Sequence, residues 1–298
     1  MRVFVTGATG FIGSAVVQEL IASGHTVLGL ARSEQSAHAL IEAGAEVRRG
    51  DIQDLDSLLS GAAACDGVIH TGFIHDFSRF KEVCEIDRGV IEAIGSVLEG
   101  SDRPFIVTSG TALVAAGTLA IETDMPPAAS HNPRIASEQA VDALAARGVR
   151  VAVVRLPPSV HGDGDHGFVP LLINLARQKG IAAYKGEGQN RWPAVHKLDA
   201  ANLYRLALEK IPAPGTRYHA NAEEGIAFKM IAEVIGKHLN IPVESKSPEE
   251  AAIHFDWFAH FASIDNPCSS KHTQQILGWQ PKHSGLLEDI DRASYFSV

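Results

Sequence analysis

Three glycines at intervals of three residues, Gly7, Gly10 and Gly13, follow a short apolar run at 3–5. In such a loop the first glycine allows a tight turn, the second lets the backbone approach a pyrophosphate, and the third lets the next helix pack closely on the strand. Apolar residues then recur at helical spacing over 12–20. A strand, a glycine-rich turn and a helix N-terminus in this order predict a cradle for the phosphates of a dinucleotide.

The end of the second predicted strand, 26–31, decides which nicotinamide cofactor suits this cradle. An acidic residue there would bind the ribose 2′-hydroxyl, whereas an arginine would bind a 2′-phosphate. No Asp or Glu occurs at 26–33, and Arg32 and Ser33 follow the strand directly. We therefore expect NADP(H) to be favoured, with NAD(H) as the alternative if Arg32 is only a solvated residue at a strand end.

Candidate acids and oxygen-binding groups lie just after other predicted strands. His75 follows the strand at 68–70, Thr111 follows the strand at 105–108, and His161 follows the strand at 149–155. Histidine titrates near neutral pH and can donate a proton, while a threonine hydroxyl can orient a substrate oxygen. The alternative for His75 is an ordinary surface turn. Two aspartates and a histidine occur within 163–166, but without further ligands at a suitable spacing, so we expect no metal site.

Strand-like and helical segments alternate along the first half of the chain. The predicted strands are 3–5, 26–31, 46–49, 68–70, 105–108 and 149–155. After the first helix, the predicted helices are 34–43, 55–59, 81–98 and 135–147, followed later by 168–179, 198–210, 228–239 and 248–261. This alternation predicts an α/β fold of the Rossmann type, with a doubly wound parallel sheet that binds ligands at the carboxyl ends of its strands.

The pattern becomes less regular after the sixth strand, where loops rich in proline and glycine separate the helices. We expect residues 1–156, with a returning segment at about 192–220, to form the NAD(P)-binding Rossmann domain. Residues at about 157–191 and 221–298 are then expected to form a smaller C-terminal lobe that binds the substrate.

The spacing Thr-Gly-x-x-Gly-x-x-Gly at 6–13 resembles the extended short-chain dehydrogenase/reductase superfamily, which also holds nucleotide-sugar epimerases and dihydroflavonol reductases. The resemblance continues in the family's order through segments 51–52, 68–72, 105–109, 155–158 and 192–199, and so covers nearly the whole chain. It implies that Asp51 lies near the adenine amino group and that Thr71, Gly72 and Phe73 lie beside the adenosine ribose.

Cradle, strand ends and resemblance together define the expected cofactor contacts. These are Gly7, Thr9, Gly10, Phe11, Ile12, Gly13, Arg32, Ser33, Asp51, Ile52, Thr71, Gly72, Phe73, Ser109, Leu156 and Pro157.

The resemblance fails at the family's catalytic pair, a tyrosine with a lysine four residues later. None of the four tyrosines has a lysine at that distance, and in the matching stretch Arg134 and Glu138 occupy the two positions. The family's catalytic serine aligns with Gly110. Arg134 would bind a developing oxyanion but is a poor proton donor near neutral pH. The alternative for Arg134 and Glu138 is an exposed ion pair on one helix face.

The composition of the chain limits the classes of partner that it could bind. The net charge of −9 argues against nucleic acid or an anionic membrane surface, and the apolar runs are too short for a membrane span. Three cysteines without metal or redox spacing, and a chain that begins directly in a strand, predict a cytoplasmic protein without a leader segment. The expected partner is a small-molecule substrate, and the expected state is a monomer or homodimer.

Three functions fit these observations. The first is an NADP(H)-preferring oxidoreductase that reduces a small or medium carbonyl compound through a non-standard active site. The second is a non-catalytic NAD(P)-binding sensor, which would need the cradle but not the catalytic pair. The third is a sugar epimerase or dehydratase, which is disfavoured because that chemistry depends most on the missing tyrosine. The candidate catalytic residues are Thr111, His75, His161 and Arg134.

Overall fold

The computed structural model describes residues 1–114, 117–127 and 130–297. Its strands are β1 (Arg2–Thr6), β2 (Thr26–Ala31), β3 (Glu46–Arg49), β4 (Gly67–His70), β5 (Phe105–Gly110), β6 (Val151–Leu156), β7 (Ser159–His161), β8 (Ala182–Lys185), β9 (Arg191–His196), β10 (Thr216–His219), β11 (Glu223–Ala227) and β12 (Val243–Lys246). Its helices are α1 (Phe11–Ala22), α2 (Glu34–Glu42), α3 (Leu55–Ala63), α4 (Phe80–Leu98), α5 (Ile135–Ala146), α6 (Phe168–Lys179), α7 (Lys197–Glu209), α8 (Phe228–Leu239), α9 (Pro248–Phe255), α10 (Ala259–Ser263), α11 (Lys271–Leu277) and α12 (Leu286–Ile290).

The central sheet has seven strands in the order β10-β6-β5-β4-β1-β2-β3, and neighbouring strands are parallel throughout. The order in which successive strands are added to the sheet reverses between β1 and β4, and doubly wound sheets bind their ligands at such a point. This confirms the predicted Rossmann-type fold. β10 lies within the segment at about 192–220 that the sequence assigns to the return to the sheet.

Both faces of this sheet are covered by helices, because alternate strand residues point to opposite sides. Val3 and Val5 of β1 join a core with α1, α2 and α7, while Phe4 between them joins a second core with α3, α4 and α5. Two small sheets, β11-β9-β7 and β12-β8, belong with α6, α8, α9, α10 and α12 to the rest of the molecule. There a third core gathers around Trp192, Phe228 and similar side chains.

The helix predicted over 248–261 is wrong as one element. α9 begins at a capping box between Ser247 and Glu250 but ends at Phe255. Asp256 then has a φ of 51°, in the left-handed region that a helix cannot continue through. A 3₁₀ turn at Asp256–Phe258 and the short α10 follow. This break leaves Trp257 50% exposed.

Strands β7, β8, β10, β11 and β12, of three to five residues each, were not predicted as strands, because each is short and lies among loop-like residues. β9 overlaps the segment 192–199 that resembles the family's return to the sheet, but it pairs with β7 and β11 in a small sheet and not with the central one.

Candidate active site

The glycine loop has the close contacts that its spacing predicts. Gly7 has a φ of 65°, and a Cβ atom there would lie 2.6 Å from the amide nitrogen of Gly72. A Cβ atom at Gly13 would lie 2.0 Å from the carbonyl oxygen of Gly7. At Gly10 a Cβ atom would meet only that oxygen, at 3.2 Å, and no side chain caps the N-terminus of α1. The first N–H groups of α1 are therefore available to an anion, and this loop fits a dinucleotide pyrophosphate.

The ends of β2 and β3 bring a second arginine to the expected ribose site. Arg32 is exposed directly after β2, and Ser33 caps α2 by accepting from the Ser36 amide. Arg49, the last residue of β3, donates from Nη1 to the Ser33 carbonyl oxygen at 3.0 Å and from Nη2 to Glu34. Sequence analysis missed Arg49. The available signal was its place at a strand end paired with the end of β2.

The expected ribose-side segment lies against the glycine loop. The Thr71 hydroxyl donates to the carbonyl oxygen of Thr6 at 2.8 Å, and Gly72 donates its amide to the Thr6 hydroxyl at 3.4 Å. Ile52 lies next to Gly72, since its Cδ1 would be 3.1 Å from a Cβ atom there. Asp51, just before it, accepts a hydrogen bond from the Gln53 amide. The ends of β1, β3 and β4 thus meet where the sequence places the cofactor.

Arg134, which directly precedes α5, is fixed between the carboxyl ends of β4 and β5. Its Nη1 donates to Asp87 Oδ2 at 2.6 Å, and its Nη2 donates to the Thr108 carbonyl oxygen at 2.8 Å. The guanidinium carbon lies 4.4 Å from the centroid of the Phe73 ring. The alternative of an exposed pair with Glu138 is wrong, because Arg134 turns towards α4 instead.

Asp87 anchors a buried chain of hydrogen bonds that reaches the glycine loop. His70 Nε2 donates to Asp87 Oδ1 at 3.0 Å, and His70 Nδ1 lies 2.6 Å from the hydroxyl oxygen of Thr6. Burial by itself would raise the pKa of Asp87, but the charge of Arg134 and the hydrogen bonds from His70 and Ser137 hold that pKa below its usual range. Sequence analysis missed Asp87. Its signal was an acidic residue on the apolar face of α4, four residues after Val83.

Glu138 belongs to a different buried cluster. Its carboxylate accepts from Arg155 Nη2 at 2.7 Å, from Arg217 Nε at 3.0 Å and from the Ser109 hydroxyl at 2.9 Å. Burial would raise the pKa of Glu138, and the two arginines lower it. Since the Ser109 hydroxyl donates its proton to Glu138, it could only accept a hydrogen bond in the predicted contact with the cofactor.

The structure separates the predicted catalytic residues. His75 is exposed, with its ring centroid 5.3 Å from that of Phe73, and both desolvation by its neighbours and the charge of Arg134 lower its pKa. His161 is fully buried and lies 2.8 Å from Asp289. Thr111 is also fully buried and donates to Asn266 at 2.7 Å. Both His161 and Thr111 are inaccessible to solvent, whereas His75 and Arg134 both lie next to the ring of Phe73.

The remaining residues that the sequence predicts to contact the cofactor lie in or next to the same strands and the glycine loop. Leu156 ends β6 and pairs in register with Gly110 of β5, and Pro157 follows it. Phe11, at the first position of α1, has its ring centroid 5.7 Å from that of His166 and lies 5.0 Å from Lys197 Nζ. Thr9 and Ile12 flank the Gly10 turn.

The four tyrosines lie outside the stretch that matches the family's catalytic pair. Tyr204 is fully buried with its hydroxyl 2.6 Å from that of Thr108, and burial raises its pKa. Burial also raises the pKa of Tyr218 to about 12 and that of Tyr295 above its usual range. Tyr184 lies in β8 under Lys229.

Among the described residues, no cluster of three or more His, Cys, Asp or Glu side chains suits a metal ion. In the same part of the chain, no helix combines the length and apolar character needed to cross a membrane.

Fold and glycine loop together define a dinucleotide-binding α/β protein, and comparison with known proteins specifies the family. The model of the NAD-dependent epimerase/dehydratase family matches residues 3–221, and the chain belongs to this family, within the extended short-chain dehydrogenase/reductase superfamily. An uncharacterised protein of Schizosaccharomyces pombe is 54% identical over 99% of this chain and 100% of its own length. The 2-alkyl-3-oxoalkanoate reductase of Stenotrophomonas maltophilia is 30% identical over 72% of this chain and 67% of its own length. The solved structure of a dTDP-glucose 4,6-dehydratase from Streptomyces venezuelae superposes with a TM-score of 0.79 at 19% identity, covering 99% of this chain and 97% of that chain.

Proposed function

We propose that this protein is an NADP(H)-preferring oxidoreductase that reduces a small or medium carbonyl compound. The observation that carries the proposal is the fixed guanidinium of Arg134 at the carboxyl ends of β4 and β5, which Asp87 and His70 link to Thr6 at the start of the glycine loop. A cation held in that position can bind the oxygen of a carbonyl group while a hydride reaches its carbon. The similarity to a reductase from Stenotrophomonas maltophilia supports the same class of reaction.

The preference for NADP(H) rests on charge at the ribose site. Arg32 is exposed, and Arg49 donates to the carbonyl oxygen of the next residue, Ser33. Two guanidinium groups suit a 2′-phosphate, which they can bind through charge-assisted hydrogen bonds. Glu34 shares Arg49, but its side chain is 79% exposed and can turn away into solvent.

Arg134 retains donors for a substrate. A guanidinium has five N–H groups, and the contacts with Asp87, Ser137 and Thr108 use two on Nη1 and one on Nη2. Within the described residues, the Nε–H and one Nη2–H have no acceptor. Because Asp87 balances its charge, Arg134 is suited to a neutral carbonyl that gains negative charge only during reaction.

Reduction needs a hydride, a proton and a stabilised oxygen. When bound, the reduced nicotinamide would supply the hydride. Arg134 would stabilise the oxygen as it gains charge, and His75 would supply the proton, because its lowered pKa makes its protonated form a stronger acid. An epimerase or dehydratase would also need a strong base, and a guanidinium cannot provide one.

The test is NADPH consumption across a carbonyl library, with wild type compared with Arg134→Lys, Arg134→Met and His75→Ala. Arg134→Met should lower kcat/KM by about 10²–10³-fold, and His75→Ala by about 10²–10⁴-fold, each with NADPH affinity kept. The lysine variant keeps a positive charge beside Asp87. It therefore separates the loss of the guanidinium hydrogen bonds from a loss of folding. Arg88→Met is the matched control, since Arg88 is a partly exposed arginine that pairs with Glu85 on α4 and donates to Gln139 on α5.

The pH profile distinguishes the two roles. Wild-type kcat/KM should fall as pH rises through the pKa of His75, which lies below its ordinary value of about 6.5. A flat profile with active His75→Ala would assign the proton to water. Tight NADPH binding without consumption by any carbonyl would favour the sensor and refute the reductase.

A further inference from the structure

A continuous series of aromatic rings runs from Arg134 to the surface of the molecule. Phe73 lies under the Arg134 guanidinium, and ring-centroid distances of 5.3 Å to His75 and 6.5 Å from His75 to Phe77 continue the series. Phe77 is stacked on Trp257 with a centroid distance of 5.1 Å and an interplanar angle of 26°. We call these residues, other than Arg134, the aromatic row.

The aromatic row ends at an open cleft of about 680 Å³ between α6 and the turn after α9. Trp257, Phe258 and Leu171 contribute apolar surface to its lining, and His166 lies at one side. His166 is also next to Phe11 of the glycine loop, so the cleft lies close to the predicted cofactor position on this side. A volume of this size is typical of sites that hold a small organic molecule.

The charged side chains near this region do not favour a diphosphate. Two carboxylates, Asp165 and Asp256, line the cleft and would repel one. Arg191 of β9 forms a two-pronged pair with Asp265, from Nε at 2.9 Å and from Nη2 at 2.8 Å. Lys179, which lines the cleft, donates to the backbone carbonyl of His254 at the end of α9. A substrate with a diphosphate would find neither group free, whereas a neutral aromatic compound needs neither.

We propose that the substrate is an aryl ketone or aryl aldehyde whose ring system binds along the aromatic row towards Trp257, with its carbonyl oxygen at Arg134. This inference rests on the proposed reductase function and adds the substrate class. In the reaction, a hydride from reduced nicotinamide forms the new C–H bond, the carbonyl π bond breaks, and the oxygen takes the proton of His75. The products are the benzylic alcohol and oxidised nicotinamide.

Matched ketones test the substrate class. Acetophenone and cyclohexyl methyl ketone have the same carbon count and differ in aromaticity, and a biphenyl ketone, 4-acetylbiphenyl, extends the ring system towards Trp257. Ring-on-ring contacts of ordinary strength predict that acetophenone binds more tightly than its cyclohexyl counterpart, with its KM lower by a factor of about 3 to 10. The biphenyl ketone should have a lower KM again.

Substitution of Trp257 tests the position of the ring system. Trp257→Ala should weaken the binding of the biphenyl ketone and raise its KM about tenfold. The KM of cyclohexyl methyl ketone should stay nearly unchanged. Ile253→Ala, at an exposed apolar residue outside the cleft lining, is the control and should change neither value.

A binding measurement separates this inference from the proposed function. Trp192 and Trp279 are buried, so ligand quenching of tryptophan emission in the presence of NADP⁺ should come mainly from Trp257. Quenching by the biphenyl ketone that is lost in Trp257→Phe supports the site even if no ketone is reduced. Reduction of ketones without preference for the aryl member, or equal quenching in both proteins, overturns the inference. Trp257 emission that depends on protein concentration alone would assign the cleft to a second copy of the chain and also overturn it.

Discussion

Replacing Asp87 with Asn should destabilise the protein and disorder Arg134. The carboxylate of Asp87 is 2% exposed and accepts from three side chains: Arg134 at 2.6 Å, Ser137 at 2.5 Å and His70 at 3.0 Å. An amide has one oxygen and one NH₂ group, so its NH₂ must face a donor on one side. Arg134 would also lose its balancing charge.

The expected cost in free energy of unfolding is about 3 kcal/mol. Removing one partner of a buried ion pair costs about 3–5 kcal/mol. The Arg134 side chain is 16% exposed and can regain some hydration, which favours the lower end. At about 2–4 °C per kcal/mol for a chain of this size, Tm should fall on the order of 6–12 °C.

The pH dependence follows from the direction of the pKa shift. Because the folded-state pKa of Asp87 is lowered, its contribution to stability is present above the unfolded-state pKa of about 3.9 and is lost as pH falls towards the folded-state value. The difference between wild type and Asp87→Asn should therefore be constant from about pH 5 to 7 and shrink below about pH 4.

Urea and thermal unfolding followed by circular dichroism measure this difference, with Asp142→Asn as the control. Asp142 also pairs with an arginine, Arg217 at 2.7 Å, but its side chain is 46% exposed and Glu138 remains to pair with Arg217. That variant should lose less than about 1 kcal/mol. Equal losses in the two variants, or a difference for Asp87→Asn that grows at low pH, would refute the reasoning.

Two further predictions concern the cofactor. Arg32→Ala and Arg49→Ala should each weaken NADPH binding by about 1.5–3 kcal/mol and leave NADH nearly unchanged, as measured by cofactor fluorescence; equal losses for both cofactors, or a wild type that prefers NADH, would contradict the assignment. Gly10→Val should fold but bind neither cofactor, because the added Cβ atom would meet only the Gly7 oxygen in the protein and the side chain would occupy the expected pyrophosphate position. Gly13→Val should instead destabilise the loop itself, and near-normal binding by folded Gly10→Val would show that the cradle is elsewhere.

The fold was predictable to a large extent because its signals are local. The central strands and the helices packed on them have apolar residues with periods of 2 and 3.6 residues. These periods can be recognised within a short stretch of sequence. The C-terminal part was predicted less well. Whether 248–261 forms one helix depends on a left-handed residue, Asp256, which periodicity does not reveal.

The candidate site was predictable only in part. The glycine loop could be identified because its function depends on the absence of side chains along a short segment. Arg134 could be identified as an anomaly in a family pattern. Its partner could not, since Glu138 is one helical turn away while Asp87 is 47 residues earlier in the chain.

The sequence by itself determined a strand–loop–helix cradle, an alternating α/β chain and an arginine in place of a catalytic tyrosine. Each of these features depends only on residues that are close together in the sequence. Only the tertiary structure decided what Arg134 does. Arg134 directly precedes α5 in sequence and lies near the end of β5 in space, so its guanidinium reaches Asp87 on α4. Glu138, one helical turn further along α5, pairs with Arg155 of β6. The packing of α4 and α5 on the sheet therefore places Arg134 next to Asp87, which is distant in sequence, and not next to Glu138.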